Sequence, residues 1–239
     1  MTVRLHRVHK SVGEGPRRAH VLRGISAAFS PGRSVGVLGL PRSGKTTLIK
    51  AIAGVAAPDA GRIERRGRVS LPVGSAAYLN RVLSGREMIL FLSRLHRLDH
   101  RPIVDFVRDF SGIGAALDEP MAEWTRADRS AYLFSMSYGF PADFYVADEI
   151  ILGGQGRFRE RCGELIQARR RSAGFVFATE VPRYLELYAD VGCVLHEGEL
   201  EFHPTVGAAI KRFRQLRLAA RVSEDRGARD VLMDFPEEG

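Results

Sequence analysis

Two textures alternate along the chain: short apolar runs bounded by glycine or proline, and longer stretches in which apolar residues recur every three or four positions. Ser34-Val35-Gly36-Val37-Leu38 reads as a buried strand, followed by a glycine-rich turn and a helix over Lys45–Ala53. Asp59-Ala60-Gly61 opens a turn into short strands around Ile63 and over residues 69–73. From about Ser84 to Tyr138 the texture is helical. Ser84-Gly85-Arg86-Glu87 fits a capping box, in which the serine oxygen accepts from the backbone three residues on and Glu87 reaches back. Met88-Ile89-Leu90-Phe91-Leu92 and Leu95 follow, so this block reads as a helical insertion between core strands. The remainder predicts a strand at 144–147, a helix at 157–170, a strand at 174–178, a helix over Pro182–Tyr188, a strand at 192–195 and a helix at 206–216. From Arg221 the chain is polar and is expected to be a mobile tail over residues 221–239. Strands alternating with helices predict an α/β domain.

Composition narrows the class. With 239 residues, 45% hydrophobic and 27% charged, the chain has ample material for a core, which excludes disorder as its main state. No apolar run approaches the roughly 20 residues of a membrane span. Met1-Thr2-Val3-Arg4-Leu5 has no leader-like apolar region, so a cytoplasmic location is expected. Cys162 and Cys193 make neither a disulfide framework nor a metal-ligand spacing. The net charge of +8 raises nucleic acid or an anionic surface as partners. Only four of the 36 basic residues are lysines, however, and the arginines are dispersed among acids, as a coding bias toward arginine would leave them. Arg65-Arg66 and Arg169-Arg170-Arg171 are too short for a basic arm, and Trp124 is the only tryptophan. Nucleic acid is therefore not an expected partner.

The sharpest chemical signal is Gly39-Leu40-Pro41-Arg42-Ser43-Gly44-Lys45-Thr46, which matches G-x-x-x-x-G-K-[ST] between a predicted strand and a predicted helix. In that setting backbone N–H groups from Gly39 to Thr47 curl around phosphate oxygens at a helix N-terminus. Lys45 reaches the β- and γ-phosphates, and the Thr46 hydroxyl binds Mg²⁺. Pro41 is unusual there because it offers no N–H. About a hundred residues on, Phe144-Tyr145-Val146-Ala147-Asp148-Glu149 is an apolar strand ending in two acids. Carboxylates at a strand's C-terminal edge, beside the phosphate loop of a parallel sheet, suit Asp148 to the Mg²⁺ shell and Glu149 to activating water. The pair predicts Mg-nucleotide binding, with ATP favoured over GTP because no Asn/Thr-Lys-x-Asp guanine-reading motif occurs.

This order of motifs resembles the ATP-binding subunits of ABC transporters. Arg33 to Gly39, Ser84-Gly85-Arg86-Glu87, residues 154–162 (beginning Gly154-Gln155-Gly156) and Val194 to Leu200 are similar to the subgroup that exports capsular polysaccharide and related surface glycans. The resemblance spans about residues 2–216. It implies a P-loop NTPase (RecA-like) core, an ABC-type helical subdomain at about 84–140 and an N-terminal antiparallel β part, together forming a domain over 1–220. It also implies a homodimer or heterodimer with ATP at the interface, a membrane permease as partner, and a peripheral position on the inner face of the cell membrane. Several positions depart from the family pattern. The signature segment aligns with Trp124-Thr125-Arg126-Ala127-Asp128, the γ-phosphate-sensing glutamine with Asn80, the switch histidine with Glu180, the dimer-contacting aspartate with Gln155 and the adenine-stacking aromatic with Val12, leaving His20 as a substitute. An ionised carboxylate at 180 accepts hydrogen bonds only and repels phosphate. Slow or asymmetric hydrolysis is therefore expected. The alternatives are a nucleotide-binding regulatory subunit with little ATPase activity and, less in keeping with the charge pattern, a nucleic-acid-associated ATPase.

Overall fold

The computed structural model describes residues 2–73, 80–149 and 156–233, with side chains as far as Ser223. Two sheets form its frame. β1 (Thr2–Val12) lies between β2 (Ala19–Phe29) and β4 (Ala60–Arg66), antiparallel to both. The second sheet has the order β5 (Phe144–Asp148), β6 (Gly174–Thr179), β3 (Ser34–Leu38), β7 (Val191–His196), β8 (Glu199–Phe202). Its first four strands run parallel, and β8 returns antiparallel to β7. β3 and β6 are buried along their whole length, as expected of strands covered on both faces.

One face of the parallel sheet packs on α1 (Lys45–Ala53) and the antiparallel sheet. Leu48, Ile49 and Ile52 of that helix join Val3, Leu22, Ile25, Phe29, Val37 and Val176 in a single core. Burying each such side chain contributes about 1.5–3 kcal/mol. The other face carries α5 (Gly156–Arg170), α6 (Pro182–Tyr188) and α7 (Val206–Met233), packed through Cys162, Ile166, Leu185 and Phe213.

The helical insertion comprises α2 (Gly85–His96), α3 (Arg101–Ser111) and α4 (Arg126–Gly139), with a core of its own built from Met88, Ile89, Val104, Val107, Trp124 and Tyr132. The expected capping box is present: Glu87 N donates to Ser84 Oγ (3.2 Å), and Ser84 N donates to Glu87 Oε2 (2.8 Å). Gly85 is dictated by packing, since a Cβ there would stand 2.6 Å from the Trp124 ring and 2.8 Å from Leu117. Met88 and Leu92 are core residues, whereas Phe91 is exposed.

Two expectations are corrected. Residues 69–73 make only isolated parallel bridges, Val69 to Phe144 and Val73 to Ala147, along the outer edge of β5. Pro72 has no N–H to continue the ladder. Finally, the last helix does not end at 216. It runs on to Met233, through the start of the segment expected to be a mobile tail.

Candidate nucleotide site

β3, β6 and β5 end in register, with Leu38 paired to Thr179 and Ala178 to Asp148. The segments that leave them therefore meet at one sheet edge. The loop after β3 turns back on itself, with Ser43 N donating to Leu40 O at 3.1 Å. It enters α1 at Gly44, whose φ of 99° is closed to a side chain, and a Cβ there would lie 2.8 Å from Val21 O on β2. Arg42 also takes a positive φ, 63°. Pro41, Arg42 and Thr46 are exposed, while Leu40, Ser43 and Thr47 are half-buried.

Lys45 is buried, with 6% of its side chain accessible. Its Nζ donates to Gly39 O (3.0 Å), Leu40 O (2.9 Å) and Glu180 Oε1 (3.0 Å), and Glu149 Oε1 is 3.6 Å away. Glu149 stands just past β5 with a φ of 64°, its N–H donating to Ala178 O at 3.0 Å. Its Oε2 accepts from Glu180 N at 3.3 Å. Burial raises the Glu149 carboxyl above the ordinary glutamate value, opposed by the Lys45 charge and by the Glu180 N–H, and reinforced by the Glu180 and Asp148 charges.

Two buried oxygens at this edge have no hydrogen-bond partner among the described residues: Asp148 Oδ1 and Ser43 Oγ. Buried polar atoms are nearly always paired, so such orphans call for a ligand. No group of three or more His, Cys, Asp or Glu residues able to hold a metal occurs among the described residues. Magnesium suits such a site, because it takes one or two carboxylates and fills its octahedron with phosphate oxygens and water. Asp148 Oδ1, a carboxylate oxygen at the sheet edge, is of the kind it takes.

The sequence comparisons agree with this chemistry. The ABC transporter family profile matches residues 22–111. The chain is 30% identical to the polysialic acid transport ATP-binding protein KpsT of Escherichia coli over 216 residues, covering 89% of this chain and 99% of that protein. The chain belongs to the ATP-binding subunits of ABC transporters. It is also 28% identical to the capsule polysaccharide export ATP-binding protein CtrD of Neisseria meningitidis serogroup B, over 75% of this chain and 83% of that one. A dimeric ATP-binding cassette solved in a post-hydrolysis state with ADP and Pi shares the fold, with a TM-score of 0.72 at 16% identity, covering 85% of this chain and 98% of the other.

The residues expected at the positions that differ from the family pattern are arranged as follows. Glu180, expected at the switch position, sits on Lys45 itself. Asn80 Oδ1 accepts from Val82 N (3.1 Å), so that oxygen is spent within its own turn. At the start of α4, where the signature segment is expected, Thr125 and Asp128 form a second capping box. Asp128 N donates to Thr125 Oγ1 (3.1 Å), while Asp128 Oδ2 accepts from Thr125 N (3.2 Å) and from the Thr125 hydroxyl (2.6 Å). The N-terminus of α4 is thereby closed by its own carboxylate, and Arg126 and Ala127 are exposed. Gln155 lies outside the described residues. Val12 is 42% exposed, and His20 Nδ1 pairs with Ser11 Oγ (3.0 Å) on the neighbouring strand. Lys45, Ser43, Asp148, Glu149 and Glu180 are thus brought together. No hydrogen bond or ion pair among the described residues joins Asn80 or the Thr125–Asp128 pair to them. The lysine–Glu180 pairing was missed at the sequence level. Its signal was a second apolar strand ending in an acid, Phe177-Ala178-Thr179-Glu180.

Proposed function

We propose that this chain is the ATP-binding subunit of an exporter for capsular polysaccharide or a related surface glycan. The Lys45–Asp148–Glu149 constellation at one sheet edge carries the reading, and the similarity to KpsT and CtrD, transport and export proteins for polysaccharides, supports its cargo class. In this proposal the amides of Gly39 to Thr47 cradle the phosphates, and Asn80 lies on the nucleotide side. Lys45 neutralises the terminal phosphates, while Thr46 and Asp148 would hold Mg²⁺. Bound there, magnesium would supply further neutralisation of phosphate charge. Glu149, 3.6 Å from the Lys45 ammonium, orients and deprotonates the attacking water.

Two such subunits close on ATP, and differential affinity for the closed arrangement drives a membrane permease. No described helix is long and apolar enough to cross a membrane. The similarity to polysaccharide-export ATP-binding proteins supports a place for this chain on the inner face, beside a permease that spans the membrane. A groove of about 280 Å³ between the sheet edge and the helical block, lined by Leu71, Leu92, His96, Leu98, Met136 and Phe140, suits an apolar element of the permease. A second reading, a nucleotide-binding regulatory subunit, is favoured by Glu180 on Lys45 and by the self-capped α4. Single-turnover hydrolysis separates them. As an ATPase the protein should lose about 10²–10⁴-fold in rate on Glu149→Gln while still binding nucleotide. Equal rates for both proteins would establish the regulatory role instead.

A further inference from the structure

The Lys45 ammonium has three protons, and each already has an acceptor: the carbonyls of Gly39 (3.0 Å) and Leu40 (2.9 Å) and the carboxylate of Glu180 (3.0 Å). The two carbonyls belong to the phosphate loop and cannot leave it. Glu180, with 40% of its side chain accessible, is the exchangeable partner. The backbone that carries it is held by two contacts. Val181 N donates to the buried Thr179 Oγ1 at 3.1 Å, and Glu180 N donates to Glu149 Oε2 at 3.3 Å. β6 lies between β3 and β5, so this carboxylate is delivered into the gap between the loop lysine and the Asp148-Glu149 pair. The lysine on which a terminal phosphate depends is thus already balanced by an anion of the protein.

We infer that Glu180 is a specificity-determining residue that occupies the lysine in place of a terminal phosphate and biases this loop toward nucleoside diphosphates over triphosphates. The inference rests on the nucleotide-binding reading proposed above. A diphosphate can be held by the loop amides while Glu180 stays beside Lys45. A third phosphate adds negative charge at a corner that already holds Asp148, Glu149 and Glu180. That charge must displace a carboxylate from a buried ammonium or share the ammonium with it. A carboxylate and a phosphate charge about 6 Å apart, at a dielectric response between that of water and an effective value of about 20, change the preference by about tenfold.

The test is equilibrium binding of the magnesium complexes of ADP and of a non-hydrolysable ATP analogue to the full chain and to Glu180→Gln and Glu180→His, with melting curves to confirm folding. The unaltered protein should bind ADP at least as tightly as the analogue. Both variants should lower the Kd ratio of analogue to ADP about tenfold. An unchanged ratio in whichever variants fold, with ADP still bound, overturns the role of Glu180 and leaves the nucleotide reading standing. Absence of binding by either nucleotide to all three proteins overturns both.

Discussion

Lys45 is the residue on which the nucleotide site turns, because its charge is the only one within 4 Å of both Glu149 and Glu180 among the described ion pairs. Replacing it with alanine removes charge-assisted hydrogen bonds worth about 1.5–3 kcal/mol and leaves two carboxylates facing the phosphates. Calorimetry should show affinity for the magnesium complex of a non-hydrolysable ATP analogue reduced by roughly 10- to 150-fold in Lys45→Ala. The loop was legible in the sequence because its geometry is local. Gly44 at a φ of 99° and Lys45 at the head of a helix have to stand at fixed offsets from Gly39. The pairing of Lys45 with Glu180 was not legible, since 135 residues separate them. Only the order of strands, a long-range property, makes them neighbours. Asp148 and Glu149 fall between these cases: the apolar strand ending in two acids could be read, but not the strand that stands between it and the loop.

At the scale of elements, the helical insertion is fastened at its first residue. Gly85→Ala would push a methyl group into the ring of Trp124 and the side chain of Leu117, where overpacking costs about 1–3 kcal/mol. Chemical denaturation should show a lower midpoint for that variant, while Lys45-dependent nucleotide binding persists in the folded protein. Elements with a clean period were readable, among them α1, β3 and the box that opens α2. The N-terminal strands were not read from their residues and were expected only through family resemblance. Their pairing explains why. β1 carries register shifts between Leu5 and Val8 and on to Ser11, and Arg7 takes a φ of 45°. The buried positions of β2 are Leu22, Ile25 and Phe29, a spacing of three and four that imitates a helix. Bulges erase the two-residue alternation on which strand recognition depends.

Across the whole molecule, the late hairpin is tied to the last helix by one ion pair. Arg212 on α7 donates through Nε and Nη2 to both carboxylate oxygens of Glu201 on β8, each at 2.9 Å. Those hydrogen bonds, with the charges of Arg212, His203 and His196, hold the Glu201 carboxyl below its ordinary value of 4.5, against the opposing effect of desolvation. A depressed folded-state pKa contributes stability that is complete above the unfolded value and is lost as pH falls through the folded one. The melting temperature should therefore drop on acidification below about pH 4.5. In Glu201→Gln that acid-induced drop should be smaller, with a lower starting value at neutral pH. The same decline in both proteins would show that the pair contributes nothing.

Trp124 gives the molecule an optical reporter. It is the only indole in the chain, it is 4% exposed, and it sits between Gly85 and Tyr132 immediately ahead of Thr125, the cap of α4. Light absorbed selectively by that ring samples the joint between α2 and α4 and nothing else. Emission that shifts or dims on titration with a magnesium nucleotide would register strain at this joint without an added dye. Steady emission during saturable binding would mean that the insertion travels as a rigid unit.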